Sequence, residues 1–316
     1  MALRTVYVTP TGTSTPTDPT SRGDGYDLLS SAEVGERGDL TAGGLDRQLE
    51  IVLEDGTYTE TAVVDWLAAN WTTDATHDIV VKGDTPHGAL VRITTNTFAP
   101  VIRTEFGPHI TFTGFISDHQ GTSASSGHRG IDIRNGDRAL VEKMILRGGY
   151  GARLDGRSAG QAVCKNSVLI GDIGGVDHGS YSTLLHCTCI SVGNAGGIDV
   201  NSSTSTVAEH CYARSANGTD LDETGGTLVT QTNIHTADTS GDTPSVAYNT
   251  SNFTNVTAGS EDLSLPTGSA LIGAASASTE TEDILGNART DPEDVGAYEN
   301  IPTGAHTIQV PTGPWR

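Results

Sequence analysis

Apolar and polar positions alternate in short runs down the middle of the chain, and five of these runs share one grammar. LVEKMIL (140–146), VCKNSVL (163–169), LLHCTCI (184–190), TVAEHCYA (206–213) and TLVTQTNI (227–234) each read apolar, polar, break, inward, outward, apolar. Superimposed on Val141, Cys164, Leu185, Ala208 and Val229, they recur at steps of 23, 21, 23 and 21 residues. That period is too short for a pair of packed helices, and the runs suit a pleated surface, so each repeat is expected to be one turn of a solenoid. In VCKNSVL the alternation points Cys164 in and Lys165 out, puts Asn166 at a bend, then points Ser167 in, Val168 out and Leu169 in. The inward set should stack coil on coil as Met144, Ser167, Thr188, Cys211 and Thr232, with Phe115 one coil upstream.

A shorter strand opened by glycine precedes each run: Gly130–Ile133, Gly151–Leu154, Gly175–His178, Gly197–Val200 and Gly218–Leu221. Two strands and a bend per coil, with Gly and Asn where positive φ is easiest, describe an all-β chain folded as a single-stranded parallel β-helix. The repeat itself does not reveal the hand. Around it, TAVVDWLAAN (61–70) has the spacing of a short helix, DHQGTSASSGH (118–128) reads as an inserted polar loop, and 238–260 as irregular last coils. HTIQVPTGPWR (306–316) suggests a strand and an aromatic, basic docking tail.

The chain resembles the right-handed parallel β-helix superfamily, the pectate-lyase-like solenoids. The opening strand Val6–Gly12, the phrase LEIVLEDGTYTE (49–60) and the final LSLPTGSALIGA, DILGNAR and PEDVGAYE phrases carry the likeness. The last three are similar to a C-terminal cap common in that superfamily, found on enzymes and structural proteins alike. The expected division is an N-terminal strand and capping loop over 1–48, coils over 49–262, a C-terminal cap over 263–300 and a tail over 301–316.

Of the 316 residues, 39 are Gly and only 5% are aromatic, which suits many tight corners around a thin core. A net charge of −21 with scattered Lys and Arg argues against nucleic acid and anionic membrane as partners, and no apolar stretch is long enough to cross a bilayer. The N-terminus lacks the apolar region of a secretory signal, so the chain is expected to be a virion protein or, alternatively, a mature extracellular one. Of the four cysteines, Cys164 and Cys211 are expected in the core, Cys187 at a bend and Cys189 outward. No C-x-x-C pair is present, and they read as structural thiols.

The outward position of the glycine-opened strand reads Asp132, Arg153, Asp177, Asp199, Asp220 in successive coils. Neighbouring strands lie about 4.8 Å apart. Two carboxylates at that distance repel by about 3 kcal/mol at an effective dielectric of 20, and by under about 1 kcal/mol in water. In a groove, one carboxyl would hold its proton or the row would capture a cation, the raw material of a glycosidase pair or a calcium site. On an open face the row is solvated surface. Asp177, Asp199, Asp220 and Arg153 are therefore the catalytic candidates, and the three aspartates the Ca²⁺ candidates. His178 falls at an inward register and reads as a core histidine, and Trp66, Trp71 and Trp315 lie away from the row.

With no paired Asp-Asp and no Gly-His-Gly phrase, the first expectation is a non-catalytic structural or adhesive phage protein without a cofactor: a spike, fibre or capsid decoration. By analogy with β-helical tailspikes it would be a homo-oligomer, most simply a trimer, contacting other virion proteins. The alternatives are a secreted polysaccharide lyase or glycoside hydrolase acting on an acidic glycan, and a carbohydrate-binding surface protein.

Overall fold

A computed structural model describes residues 2–84, 91–105, 108–120, 125, 127–136, 138–157, 162–202, 204–257 and 261–300. The chain winds into a right-handed parallel β-helix with three faces. The first face is a nine-stranded parallel sheet running from Ala2–Thr13 through Arg47–Leu53, Ile79–Gly83, Ile110–Thr113, Ala139–Glu142, Ala162–Lys165, Ser182–Leu185 and Val207–Glu209 to Thr230–Thr232. The second face includes Gly56–Thr59, Val91–Thr95, Ile116–His119, Thr188–Ser191 and Tyr212–Ser215. The third includes Val64–Leu67, Ile102–Glu105, Arg129–Gly136, Ile198–Val200 and Leu221–Asp222. The long strands Ile145–Gly156 and Val168–His178 turn the corner and serve both. The phrase over 49–60 closes the first coil, as the strands Arg47–Leu53 and Gly56–Thr59.

The bend between the first and second faces is left-handed in every described coil from the third on: Gly114, Lys143, Asn166, His186, His210 and Asn233 all have φ between 47° and 72°. For residues other than Gly this conformation is sterically costly. The ladder offsets it by continuing through the corner: Asn166 N donates to Leu185 O (3.0 Å), His186 N to Glu209 O (3.0 Å) and His210 N to Thr232 O (2.8 Å).

The expected register slips in two coils. Cys164 pairs with Leu184 rather than Leu185, and Ala208 with Gln231 rather than Val229, whose side chain is 60% exposed. The steps are thus 23, 20, 24 and 23. The Leu184-Leu185 doublet offers two apolar alignments, and only hydrogen bonding across coils selects one. The inward stack is accordingly Phe115, Met144, Ser167, Cys187, Cys211 and Ile234, all buried; Thr188 and Thr232 do not belong to it. Cys187 is therefore in the core, with His186 taking the bend, and Cys189 also points inward, in register with Leu169 and Ala213. All four cysteines are buried and free.

Residues 61–70 contain the strand Val64–Leu67, not a helix; Trp66 enters the core against Trp71 and Phe112. The helix is upstream, at Leu29–Glu36, burying Leu29 and Ala32 beside the first strands of the first and third faces. Its first amides, Leu29 N and Ser30 N, donate to the buried Glu60 carboxylate at 2.9 and 3.3 Å.

The C-terminal segment is a strap along the side of the solenoid. Val246, Phe253, Leu263, Leu271, Ile284, Val295 and Tyr298 cover the outer side of the second face at Val168, Ile170, Ile190 and Tyr212. Alternate strap residues meet the left-handed corner in reverse order: Ser276 with Asn233 (3.2 Å), Ser278 with His186 (3.0 Å), Glu280 with Asn166 (3.3 Å) and Lys165 (3.0 Å), and Glu282 with Lys143 (2.5 Å). The open end of the last coil is closed by the Asp242 carboxylate, which accepts from Asn233 N (3.1 Å) and Ile234 N (2.6 Å). The tail at 301–316 lies outside the described residues, as do 121–124 and 126 of the inserted loop. No helix among the described residues is long and apolar enough to cross a membrane.

Candidate functional site

Side chains alternate along the third face, so one outward position recurs in every coil. The pairing runs Asp65, Arg103, Asp132, Arg153, Asp177, Asp199, Asp222. Four of the five expected members are in place, and Asp222 replaces Asp220. Asp220 is 3% exposed and accepts hydrogen bonds from Ser215 N (2.6 Å), Ala237 N (2.6 Å) and Asp238 N (2.8 Å), an organiser of the last coil. Leu221, not Thr219, pairs with Ile198, because the turn before the strand is two residues longer than the glycine alignment assumes.

The first four positions alternate in sign. The Arg103 guanidinium donates to both Asp65 oxygens, and Arg134 reaches Asp132 at 2.6 Å. Beyond Arg153 the alternation stops, and Asp177, Asp199 and Asp222 follow in consecutive coils. Two residues from the corner between the second and third faces organise this end. Arg129 is buried and bridges Asp132 (3.3 Å) and Asp177 (3.2 Å), with Arg153 Nε 3.9 Å from Asp177 and Asn201 Nδ2 donating to its other oxygen at 2.5 Å. Tyr150 lies across Gly174, which leaves room for the ring, and its hydroxyl donates to Asp199 Oδ2 at 2.9 Å.

The two carboxyls thus have different surroundings. Asp177 faces two guanidinium groups and an amide. Burial pushes the Asp199 carboxyl up from the ordinary carboxylate range; the Tyr150 hydrogen bond opposes this, and the charges of Asp177 and Asp222 add to it. Burial, and then the nearby Asp199 charge, also raises the Tyr150 phenol. Neither Arg129 nor Tyr150 is among the candidates that strand alternation offers, because both reach the row from a corner.

The three Ca²⁺ candidates Asp177, Asp199 and Asp220 are not brought together, since Asp220 is turned into the last coil. Among the described residues no group of three or more His, Cys, Asp or Glu side chains is arranged to hold a metal ion. His178 is buried as expected, with Nδ1 3.1 Å from Ser182 Oγ, and burial lowers its pKa to about 4. A cleft of about 350 Å³ lies on the first face, lined by Asp78, His109, Arg138, Leu140 and Val163 among others, and includes no member of the Asp177, Asp199 and Asp222 row.

No family model matches the chain, and no curated protein does. Among solved structures it is similar to the pectin methylesterase from Aspergillus niger, at 13% sequence identity and a TM-score of 0.44, over 73% of this chain and 91% of that one.

Proposed function

We propose that the third face carries a glycan-cleaving site in which Asp177 and Asp199 work as a carboxyl pair. The carrying observation is that two carboxyls paired in register on adjacent strands have different surroundings: Asp177 faces Arg129 and Arg153, whereas Asp199 is half-buried against Tyr150, and burial raises its carboxyl. Such a division lets one group stay charged while its neighbour supplies a proton. Adjacent strands lie about 4.8 Å apart, a backbone spacing that suits the close pair of a retaining glycosidase, whose carboxyls are roughly 5–5.5 Å apart. Asp177 would attack the anomeric carbon as the glycosidic oxygen leaves with the Asp199 proton; water then hydrolyses the glycosyl ester, its proton returning to Asp199. Arg129 and Arg153 hold Asp177 in place, and Tyr150 orients Asp199.

The test is reducing-end release from a panel of neutral and uronic-acid polysaccharides. Asp177→Asn and Asp199→Asn should each lower the rate at least about a hundredfold. Release by both variants at the unsubstituted rate, or none by the unsubstituted protein on any substrate, would sink the proposal.

A second reading is self-association, which a homotrimeric virion component would require, and the first face supports that step alone. Val80, Leu140, Val163 and Val207 point outward in one register and are only partly covered. A second copy would cover that row. A monomeric mass by light scattering at micromolar concentration would remove this reading.

A further inference from the structure

Phe98 is the most exposed large apolar side chain among the described residues, at 86%. It sits on the corner between the second and third faces, one coil before His128 and two before Tyr150. The Phe98 and His128 ring centroids are 5.4 Å apart, and His128 in turn stacks on His119 at 4.2 Å with the planes 14° from parallel. Both imidazoles are buried, and His119 Nε2 lies 2.6 Å from Thr97 O, beside the exposed phenyl ring. The ring is thus held out into solvent on a rigid two-histidine base. The same base leads directly into the carboxyl pair. Arg129, the next residue after His128, stands 5.9 Å above the Tyr150 ring and reaches Asp177, while Tyr150 reaches Asp199.

An exposed aromatic face on a fixed support, continuous with a row of carboxyls and guanidinium groups, matches a pyranose ring, which offers an apolar C–H face to stack and hydroxyls around its edge to bond. We propose that Phe98, backed by His128 and His119, is a stacking subsite for one pyranose unit of a bound oligosaccharide and sets where the chain lies against Asp177 and Asp199. This rests on the glycan reading above and identifies a positioning residue for it.

The experiment titrates the full chain carrying Asp199→Asn, so that nothing is cleaved, with cellohexaose and with hexagalacturonate by calorimetry. It then repeats the titration with Phe98→Ala or Phe98→Trp added. Phe98→Ala should weaken binding of the preferred hexasaccharide about tenfold, and Phe98→Trp should restore it. In the cleaving protein the same loss should raise KM rather than lower kcat. Equal affinity with and without the phenyl ring overturns the subsite, as does failure of both hexasaccharides to bind at millimolar concentration, or a Phe98→Ala effect on oligomeric mass. Phe98-dependent binding by a protein that cleaves nothing would uphold the subsite and reject the hydrolase, whereas cleavage indifferent to Phe98 would do the reverse.

Discussion

Gly174→Ala tests the arrangement around Asp199 without touching a charged group. A β-carbon at this position would stand 2.5 Å from Tyr150 Cε1, 3.0 Å from Cδ1 and 3.2 Å from Gly196 O. Carbon atoms in contact settle at about 3.5–4.0 Å. The ring must therefore move by about 1 Å, enough to break a 2.9 Å hydrogen bond to Asp199. Crowding of this kind costs about 1–3 kcal/mol. Tyr150 can slide toward solvent, where water replaces part of the lost bond, so the sum should be about 2 kcal/mol. Urea midpoints measure it, with Tyr150→Phe, at about 1 kcal/mol, isolating the hydrogen bond. Adding Tyr150→Ala to Gly174→Ala removes the clash, and the double variant should be more stable than the two separate losses imply by about 1 kcal/mol. The Asp199 carboxyl, followed by ¹³C NMR, should titrate higher in Gly174→Ala, because the one interaction holding it down is gone. Its folded-state proton affinity exceeds that of the unfolded chain, so its protonation stabilises the fold at low pH. That contribution is lost as pH rises through the folded midpoint, and the substitution extends the window upward. An unchanged urea midpoint together with an unchanged Asp199 titration would refute the reasoning.

Arg129→Met leaves the fully buried Asp132 carboxylate with Arg134 as its remaining ion-pair partner, and should destabilise the chain by about 3 kcal/mol; a urea curve superimposing on that of the unsubstituted protein contradicts this. His178, lowered to about 4 by burial, should show no imidazole titration by NMR above pH 5. Its folded pKa lies below the unfolded value, so its contribution to stability falls as pH drops from about 6.5 toward 4, and a midpoint near 6.5 would show that the ring is not buried. The four thiols should not react with Ellman's reagent in the native state and should all react in denaturant, since burial raises the Cys187, Cys189 and Cys211 thiols well above the ordinary range; rapid native reaction would contradict the inward placement of Cys189.

The solenoid was legible because it is written locally: alternation within a strand and a bend residue that tolerates positive φ are both nearest-neighbour properties. Register was less so. Leu184 and Leu185 serve an apolar template equally well, and the choice between them depends on a strand some 20 residues away. The helix was missed for a related reason. Its N-terminal amides are satisfied by Glu60, a carboxylate about 30 residues downstream, instead of by a Ser, Thr, Asp or Asn at the cap position, so no local start signal exists. At the site, Asp132, Arg153, Asp177 and Asp199 followed from strand periodicity; Asp222 did not, because the longer turn before its strand shifts the row by two residues. Arg129 and Tyr150 did not, because they reach the row from a corner, over separations of 48 and 49 residues.

A stack of repeats in which each coil touches only its neighbours can come apart one coil at a time from either end. The strap changes that rule here. Through Ser276, Ser278, Glu280 and Glu282 it ties the C-terminal segment to corners as far back as Lys143, so the last coils cannot peel away while the middle ones hold. Hydrogen exchange along the coils from Lys143 to Asn233 should therefore proceed as one cooperative unit instead of a gradient rising from the C-terminal end, and the Asp177 and Asp199 pair sits within that unit.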